Sequence, residues 1–186
     1  MASSPPDLSR LLLTPEEAAR LDAHGRTDAA VLVPMYGWPD RPGLVFTERR
    51  SDLRRHAGEI SFPGGRQDEP DEDLLSTALR EAQEEIGLDP ARVELAGALP
   101  PIGTYVTSYK VHPFVGLIPE GLPLEPNPAE VETVLTFELE RLREAFAMRR
   151  LVRRGVPIRT PTYEVGRHMI WGATGRILQD LLERLN

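Results

Sequence analysis

Phe62-Pro63-Gly64-Gly65 opens a turn-rich loop, and the sequence that follows it carries the most regular helical pattern of the chain. That pattern predicts a helix from about Asp73 to Ile86, ended by Gly87. At 100° per residue its apolar side chains fall on one continuous arc, which must face a core. These side chains are Leu74, Leu75, Ala78, Leu79, Ala82 and Ile86.

Three glutamates, Glu81, Glu84 and Glu85, gather at one edge of that arc. Their i,i+3 and i,i+4 spacing predicts that the carboxylates come together at the boundary between core and solvent. Each like-charged pair disfavours the helix by roughly 0.2–0.5 kcal/mol, and only Glu84 has a helix partner, Arg80, four residues before it. A divalent cation would convert this repulsion into attraction. The alternative is a solvated acidic helix face without a function.

The segment Arg80-Glu81-Ala82-Gln83-Glu84-Glu85-Ile86-Gly87-Leu88 resembles the Nudix box. The pattern of this superfamily signature is G-x5-E-x7-R-E-U-x-E-E-x-G-U, where U is a bulky aliphatic residue. Two positions depart from it. Gly65 lies one residue early, which lengthens the loop and leaves either Glu72 or Asp71 in the role of the first glutamate. Ala82 stands where the pattern has a bulky aliphatic residue.

The Nudix resemblance implies a fold, a cofactor and a set of roles. The fold is α/β (α+β), with a mixed β-sheet sandwiched between helices. The cofactor is Mg²⁺ or Mn²⁺, bound by the three glutamates, while Arg80 orients a carboxylate. Metal ions can neutralise the charge of a pyrophosphate, align its phosphates and lower the pKa of an attacking water. The general base stays open, and Glu130 and Glu132 are further candidates for it.

A second motif runs from Leu44 directly into the Nudix box. Residues 44–65 resemble the additional motif of the coenzyme A pyrophosphatase branch, roughly L-L-T-x-R-S-x-x-x-R-x-x-x-G-x-x-x-F-P-G-G. Arg49, Arg54 and Gly58 match it in register, whereas Arg50 stands where that branch usually has serine. Segments 104–116 and 170–178 also resemble this branch, so the likeness covers about residues 29–180.

The basic residues of this motif suit a substrate that carries several phosphates. Coenzyme A has a 3′-phosphate besides its pyrophosphate, and arginine can bind phosphate through two parallel hydrogen bonds. We therefore expect Arg49, Arg54 and Arg66 to bind substrate, and Gly64 and Gly65 to let the backbone approach its phosphates. The alternative is a loop whose charges only favour solubility.

Together the two resemblances imply a coenzyme A pyrophosphatase, which would split CoA or a derivative into 3′,5′-ADP and 4′-phosphopantetheine or its acyl form. One alternative is a Nudix hydrolase of ADP-ribose, NADH or another nucleotide sugar. Another is a non-catalytic, ligand-binding Nudix domain, although a pure binder need not keep all these carboxylates. The motifs do not distinguish free CoA from oxidised or acylated CoA.

Composition narrows the classes of partner. The 186-residue chain has a net charge of −7 at pH 7, which argues against a nucleic-acid binder with a broad basic surface. It has no cysteine, so any metal must be held by oxygen or by histidine nitrogen. No secretory signal and no apolar run of about 20 residues is visible. We expect a cytoplasmic protein that binds a small molecule and neither nucleic acid nor membrane.

The remaining pattern predicts one domain with an N-terminal extension. We expect residues 1–28 to form a tail and a helix packed on the domain, with Thr14 as N-cap and Gly25 as the end. Residues 29–186 are expected to form a single Nudix domain. Strands are predicted at 29–34, 44–47, 93–99, 111–118 and 131–137, with a hairpin joining the first two. Helices are predicted at 138–148 and 177–185.

Overall fold

The computed structural model describes residues 7–52, 58–69, 71–104, 108–153 and 155–186. Arg54, one of the expected substrate-binding residues, lies outside these ranges. None of the helices in the described ranges combines the length and the apolar character that crossing a bilayer requires.

In the part of the chain that the structure describes, eight strands form the main sheet. They are β1 (Thr27–Tyr36), β2 (Gly43–Arg49), β3 (Ile60–Ser61), β4 (Gly64–Arg66), β5 (Glu94–Ala98), β6 (Ile102–Gly103), β7 (Tyr109–Leu117) and β8 (Val131–Glu138). The order is β3-β2-β1-β7-β5, with β4 paired to β1, β6 to β7 and β8 to β2. The pairing of β1 with β7 is parallel and the other pairings are antiparallel, so the sheet is mixed.

Four α-helices and a smaller sheet complete the described structure. The helices are α1 (Pro15–Ala19), α2 (Leu74–Ile86), α3 (Leu139–Glu144) and α4 (Gly172–Arg184). The smaller sheet is antiparallel and contains β9 (Phe146–Arg153), β10 (Val156–Val165) and β11 (His168–Ile170), with β10 in the middle.

Helix α2 covers one face of the main sheet. Its side chains Ala78, Ala82 and Ile86 are fully buried and pack with Leu32 of β1 and Phe114 of β7. Alanine at two of these positions brings the helix close to the sheet, because a small side chain shortens the distance between packed elements. The charged edge of α2 is thereby held beside β4, whose Gly64 N–H bonds to Glu85.

The opposite face of the main sheet is covered by α4, by α3 and by the smaller sheet. Ile177, Leu178 and Leu181 of α4 pack in one core with Phe46 of β2, and Tyr163 of β10 is buried in the same core. The mixed sheet therefore lies between helices on both faces. Leu8 and Leu12 of the N-terminal segment also enter this core, while Ala18 of α1 packs in the core beneath α2.

The structure confirms much of the predicted secondary structure. Asp73 caps α2, and Gly87 ends it with φ +66°. The strand predictions at 29–34, 44–47, 93–99, 111–118 and 131–137 fall on β1, β2, β5, β7 and β8, and β1 and β2 form the expected hairpin. Thr14 caps α1 with the expected Pro15 in its first turn.

Three secondary-structure predictions were wrong or incomplete. Helix α1 ends at Ala19 and does not reach Gly25. The helix expected at 138–148 ends at Glu144, since residues 146–153 instead form β9 and pair with β10. The final helix starts at Gly172, five residues before the expected 177.

Candidate active site

Glu85 is the most deeply buried of the three box glutamates, with only 9% of its surface exposed. On the helical wheel it falls between Leu74 and Ala78, inside the apolar arc and not at its edge. The Gly64 N–H donates a hydrogen bond to its Oε2 at 3.3 Å. Burial is the main cause that raises the pKa of Glu85 to about 8, against the opposing effect of this hydrogen bond, and the charges of nearby carboxylates contribute to the rise.

Glu81 lies at the mouth of the same site. Its side chain is 18% exposed, and its carboxylate lies against the Cα of Gly65, where a Cβ would overlap it. The Arg80 guanidinium contacts the Glu81 Oε1 at 3.0 Å. Burial raises the pKa of Glu81, while the charge of Arg80 opposes that rise. Residue 65 must therefore be small for this carboxylate to occupy its position.

Glu84 differs from both neighbours. Its side chain is 58% exposed, and its carboxylate contacts Arg80 at 3.0 Å, as the i,i+4 spacing predicted. The expected convergence of all three carboxylates is not found, because the Glu85 carboxylate is buried beside the Gly64 N–H, whereas that of Glu84 is largely exposed and contacts Arg80. Among the described residues, no three Asp, Glu or His side chains are arranged as a ready-made metal cage.

Arg80 is held mainly by Asp71. Its Nε and Nη2 donate to the two Asp71 oxygens at 2.8 and 2.9 Å, in a bidentate pair. The Thr77 hydroxyl and the Asp68 N–H also donate to Asp71, whose side chain is only 4% exposed. The hydrogen bonds from Arg80 hold the pKa of Asp71 well below its usual range. Glu72 is exposed, so in this lengthened loop Asp71 is the carboxylate that binds Arg80.

Arg49 and Glu130 lie near enough to the buried Glu85 for their charges to act on it. Arg49 Nη1 is 3.4 Å from Glu130 Oε2. The charge of Glu130 raises the pKa of both Glu81 and Glu85, and the charge of Arg49 lowers that of Glu85. The four side chains therefore share one electrostatic environment.

Gly64, Gly65 and Arg66 form β4, which pairs with β1. A Cβ on Gly64 would overlap the Ala30 carbonyl, so both glycines allow the strand to approach other parts of the protein closely. The Arg66 side chain is exposed, and its carbonyl oxygen accepts a hydrogen bond from Arg80 Nη2 at 3.3 Å. The structure thus places Arg66 beside the site through its backbone.

Two features of the site exceeded what the sequence established. From the sequence, Glu130 was only one of several candidate bases. Its position beside Arg49 depends on the pairing of β8 with β2, which the sequence did not reveal. The choice between Asp71 and Glu72 was likewise left open, although the extra loop residue was a signal that the usual register had changed. The structure resolves this choice in favour of Asp71.

The donor set suits a hard divalent cation. Glu81 and Glu85 place two carboxylates in a largely buried position, and Glu130 adds a third negative charge nearby. Burying like charges together is costly without a cation, which is why the pKa of Glu85 rises so far. Oxygen ligands of this kind are those that Mg²⁺ and Mn²⁺ prefer. Rotation of Glu84 away from Arg80 would be needed to bring in the third box carboxylate.

Comparison with known proteins agrees with the fold and the site. The model of the family described as NUDIX domain matches residues 26–155. The Nudix hydrolase NudL of Cronobacter sakazakii is 40% identical over 179 residues, which cover 94% of this chain and 90% of the relative. The chain therefore belongs to the Nudix family. The predicted hydrolase class is confirmed at this level.

Solved structures agree with the predicted Nudix fold, a mixed sheet between helices. The NUDIX domain of Shewanella oneidensis NrtR, solved in complex with ADP ribose, aligns with a TM-score of 0.56 at 16% identity, covering 91% of this chain and 94% of that domain. A C. elegans Ap4A hydrolase aligns with a TM-score of 0.51 at 18% identity, covering 62% and 82%. At such low identities the alignments establish the fold and not the substrate.

Proposed function

We propose that this Nudix hydrolase cleaves the pyrophosphate of coenzyme A or a CoA derivative, giving 3′,5′-ADP and 4′-phosphopantetheine or its acyl form. The supporting observation is the position of Arg49. This residue belongs to the motif that resembles the CoA pyrophosphatase branch, and its guanidinium lies 3.4 Å from Glu130 beside the buried glutamates. A cation at this place is available to a phosphate of the substrate.

We assign metal binding to Glu81, Glu84 and Glu85, with Mg²⁺ or Mn²⁺ as the ion. When bound, the ion supplies charge neutralisation of the pyrophosphate and a lowered pKa for an attacking water. Arg80 keeps Glu81 in place through a 3.0 Å contact, and Asp71 in turn fixes Arg80. Glu84 would join the ion by rotating away from its own 3.0 Å contact with Arg80. Glu85 would hold the ion in its ionised form and would release its proton on doing so.

Glu130 is the better placed of the two candidate general bases outside the helix. Its charge acts on both Glu81 and Glu85, and its carboxylate lies close to Arg49. Glu132 is exposed on β8, and its charge acts instead on Arg50. We therefore assign to Glu130 the removal of a proton from the attacking water, with Arg49 orienting its carboxylate through their 3.4 Å contact.

Product analysis tests the proposal. The protein is incubated with CoA, dephospho-CoA, ADP-ribose or NADH, each with Mg²⁺ and with Mn²⁺, and the products are identified by mass. Preferential release of 3′,5′-ADP from CoA is the expected result. Turnover of ADP-ribose or NADH in preference to CoA would keep the Nudix chemistry and reject the substrate assignment. Absence of cleavage of all four would instead favour the ligand-binding alternative.

A further inference from the structure

Arg50 links two segments of the chain at the rim of the acidic site. Its backbone N–H donates to the Glu130 carbonyl at 3.1 Å, and its Nη1 donates to the Pro128 carbonyl. Its Nε and Nη2 donate to the Asp52 carboxylate at 2.9 and 2.6 Å. Each of its three guanidinium nitrogens therefore has a protein acceptor. This arrangement is that of a structural link and differs from a cation that awaits a phosphate.

The loop that Arg50 contacts is also attached to the end of helix α2. The Asn127 N–H donates to the Glu85 carbonyl at 2.8 Å, which satisfies a carbonyl that the helix itself leaves unpaired. The Asn127 carbonyl accepts the Glu130 and Val131 N–H groups at 3.0 and 2.9 Å. Residues 127–131 are consequently held between α2 on one side and Arg50 on the other.

A register shift beside this loop also helps to determine where the Glu130 carboxylate lies. The pairing of β2 with β8 shifts register between Glu48 and Arg49, so that Glu132 is an extra residue at that point. Such bulges redirect side chains and are frequent beside active sites. Here the shift brings the Glu130 side chain to 3.4 Å from Arg49.

We propose that Arg50 is a positioning residue, which fixes the turn at residues 127–130 through the Pro128 carbonyl and thereby aims the Glu130 carboxylate at the attacking water. Asp52 orients the guanidinium for this contact. The inference rests on the proposed pyrophosphohydrolase function, but it does not depend on CoA being the substrate. It also separates Arg50 from Arg49, its neighbour in the motif, which faces the carboxylates directly.

Kinetics of Arg50→Ala provide the first test. We expect kcat to fall by about tenfold with KM nearly unchanged, because small misplacements of a catalytic group lower the rate of the chemical step. The matched control is Arg41→Ala, which removes an exposed arginine bonded to Glu138 at the opposite end of the β2–β8 pair. A raised KM with unchanged kcat would overturn the proposal and identify Arg50 as a substrate ligand.

A double-mutant cycle tests whether Arg50 acts through Glu130. In the Glu130→Gln background, Arg50→Ala should have almost no further effect, since the carboxylate that it positions has already lost its function. Independent, multiplicative losses would contradict the proposal. Arg50→Lys should retain more activity than Arg50→Ala, because the lysine ammonium can still donate to the Pro128 carbonyl. These measurements use whichever of the four pyrophosphates the protein cleaves fastest.

Amide hydrogen exchange gives a test that does not need turnover. Exchange at Glu130 and Val131 should accelerate in Arg50→Ala and stay unchanged in Arg41→Ala, because only the former releases the turn. Unchanged protection in Arg50→Ala would overturn the inference. If no pyrophosphate is cleaved, the proposed function fails while this measurement still decides whether Arg50 fixes the turn.

Discussion

Two ion pairs with nearly equal geometry occur in very different surroundings in this molecule. Arg80 binds Asp71 through two hydrogen bonds of 2.8 and 2.9 Å at the start of α2. Arg149 binds Glu164 through two of 2.6 and 2.7 Å across the β9–β10 hairpin. The Asp71 side chain is 4% exposed, whereas both members of the hairpin pair are 45% exposed.

The difference in burial, and not the bond lengths, sets the consequence of losing each pair. Removing Asp71 takes two hydrogen bonds from the partly buried Arg80 and leaves it only its contacts with Glu81, Glu84 and the Arg66 carbonyl, whereas an exposed charge is rehydrated at once. The same contrast applies within α2, where Glu85 is buried and Glu84 is largely exposed. Substitution of the more buried member of each comparison, Asp71 or Glu85, should therefore have the larger effect on stability or activity.

The largest effect is expected for Glu85→Gln. Loss of this buried carboxylate should lower kcat by about 10³-fold, since metal-ion catalysis contributes several kcal/mol to the rate. The fold should remain intact because glutamine has nearly the same shape and needs no ionisation in this buried place. Glu84→Gln is the matched control and should cost less, because its side chain is 58% exposed. Near-normal turnover of Glu85→Gln in steady-state assays would reject its metal role.

The next effect concerns Asp71→Asn. This substitution removes the acceptor charge of a largely buried bidentate pair, so the free energy of unfolding should fall by about 2–3 kcal/mol. Glu72→Gln, one residue away and exposed, should change it by less than about 0.5 kcal/mol. Urea unfolding of both variants measures the difference. Equal losses would contradict the assignment of Asp71 as the partner of Arg80.

The Asp71 pair also predicts a dependence on pH. Arg80 lowers the pKa of Asp71 in the folded protein, so the stabilisation is fully present above the unfolded pKa of about 4 and disappears as the pH falls through the folded value. The difference in free energy of unfolding between wild type and Asp71→Asn should therefore be constant from about pH 6 to about pH 7 and should become smaller below about pH 4. If the difference in free energy of unfolding stayed constant on acidification, the lowered pKa of Asp71 would not contribute to stability.

Helix α2 and the β9–β10 hairpin also show which parts of the structure could be inferred from sequence. In α2 the cap, the apolar period and the final glycine all specify the same local structure, so the prediction was accurate. Residues 145–148 continue a helical pattern, but pairing with β10 outweighs it. The position of Glu130 beside Arg49 likewise depends on the pairing of distant strands, which a local pattern does not encode.

The smallest effect is expected in the hairpin. Arg149→Ala should lower the free energy of unfolding by less than about 1 kcal/mol, because both partners are already hydrated and their attraction is screened. A double-mutant cycle with Glu164→Ala should give a coupling energy of the same size, which decreases further in 1 M salt (roughly a 3 Å screening length). Activity should not change, since the pair lies across the hairpin and away from Glu85. A coupling as large as that of Asp71 with Arg80 would show that geometry, and not burial, controls the strength of ion pairs in this molecule.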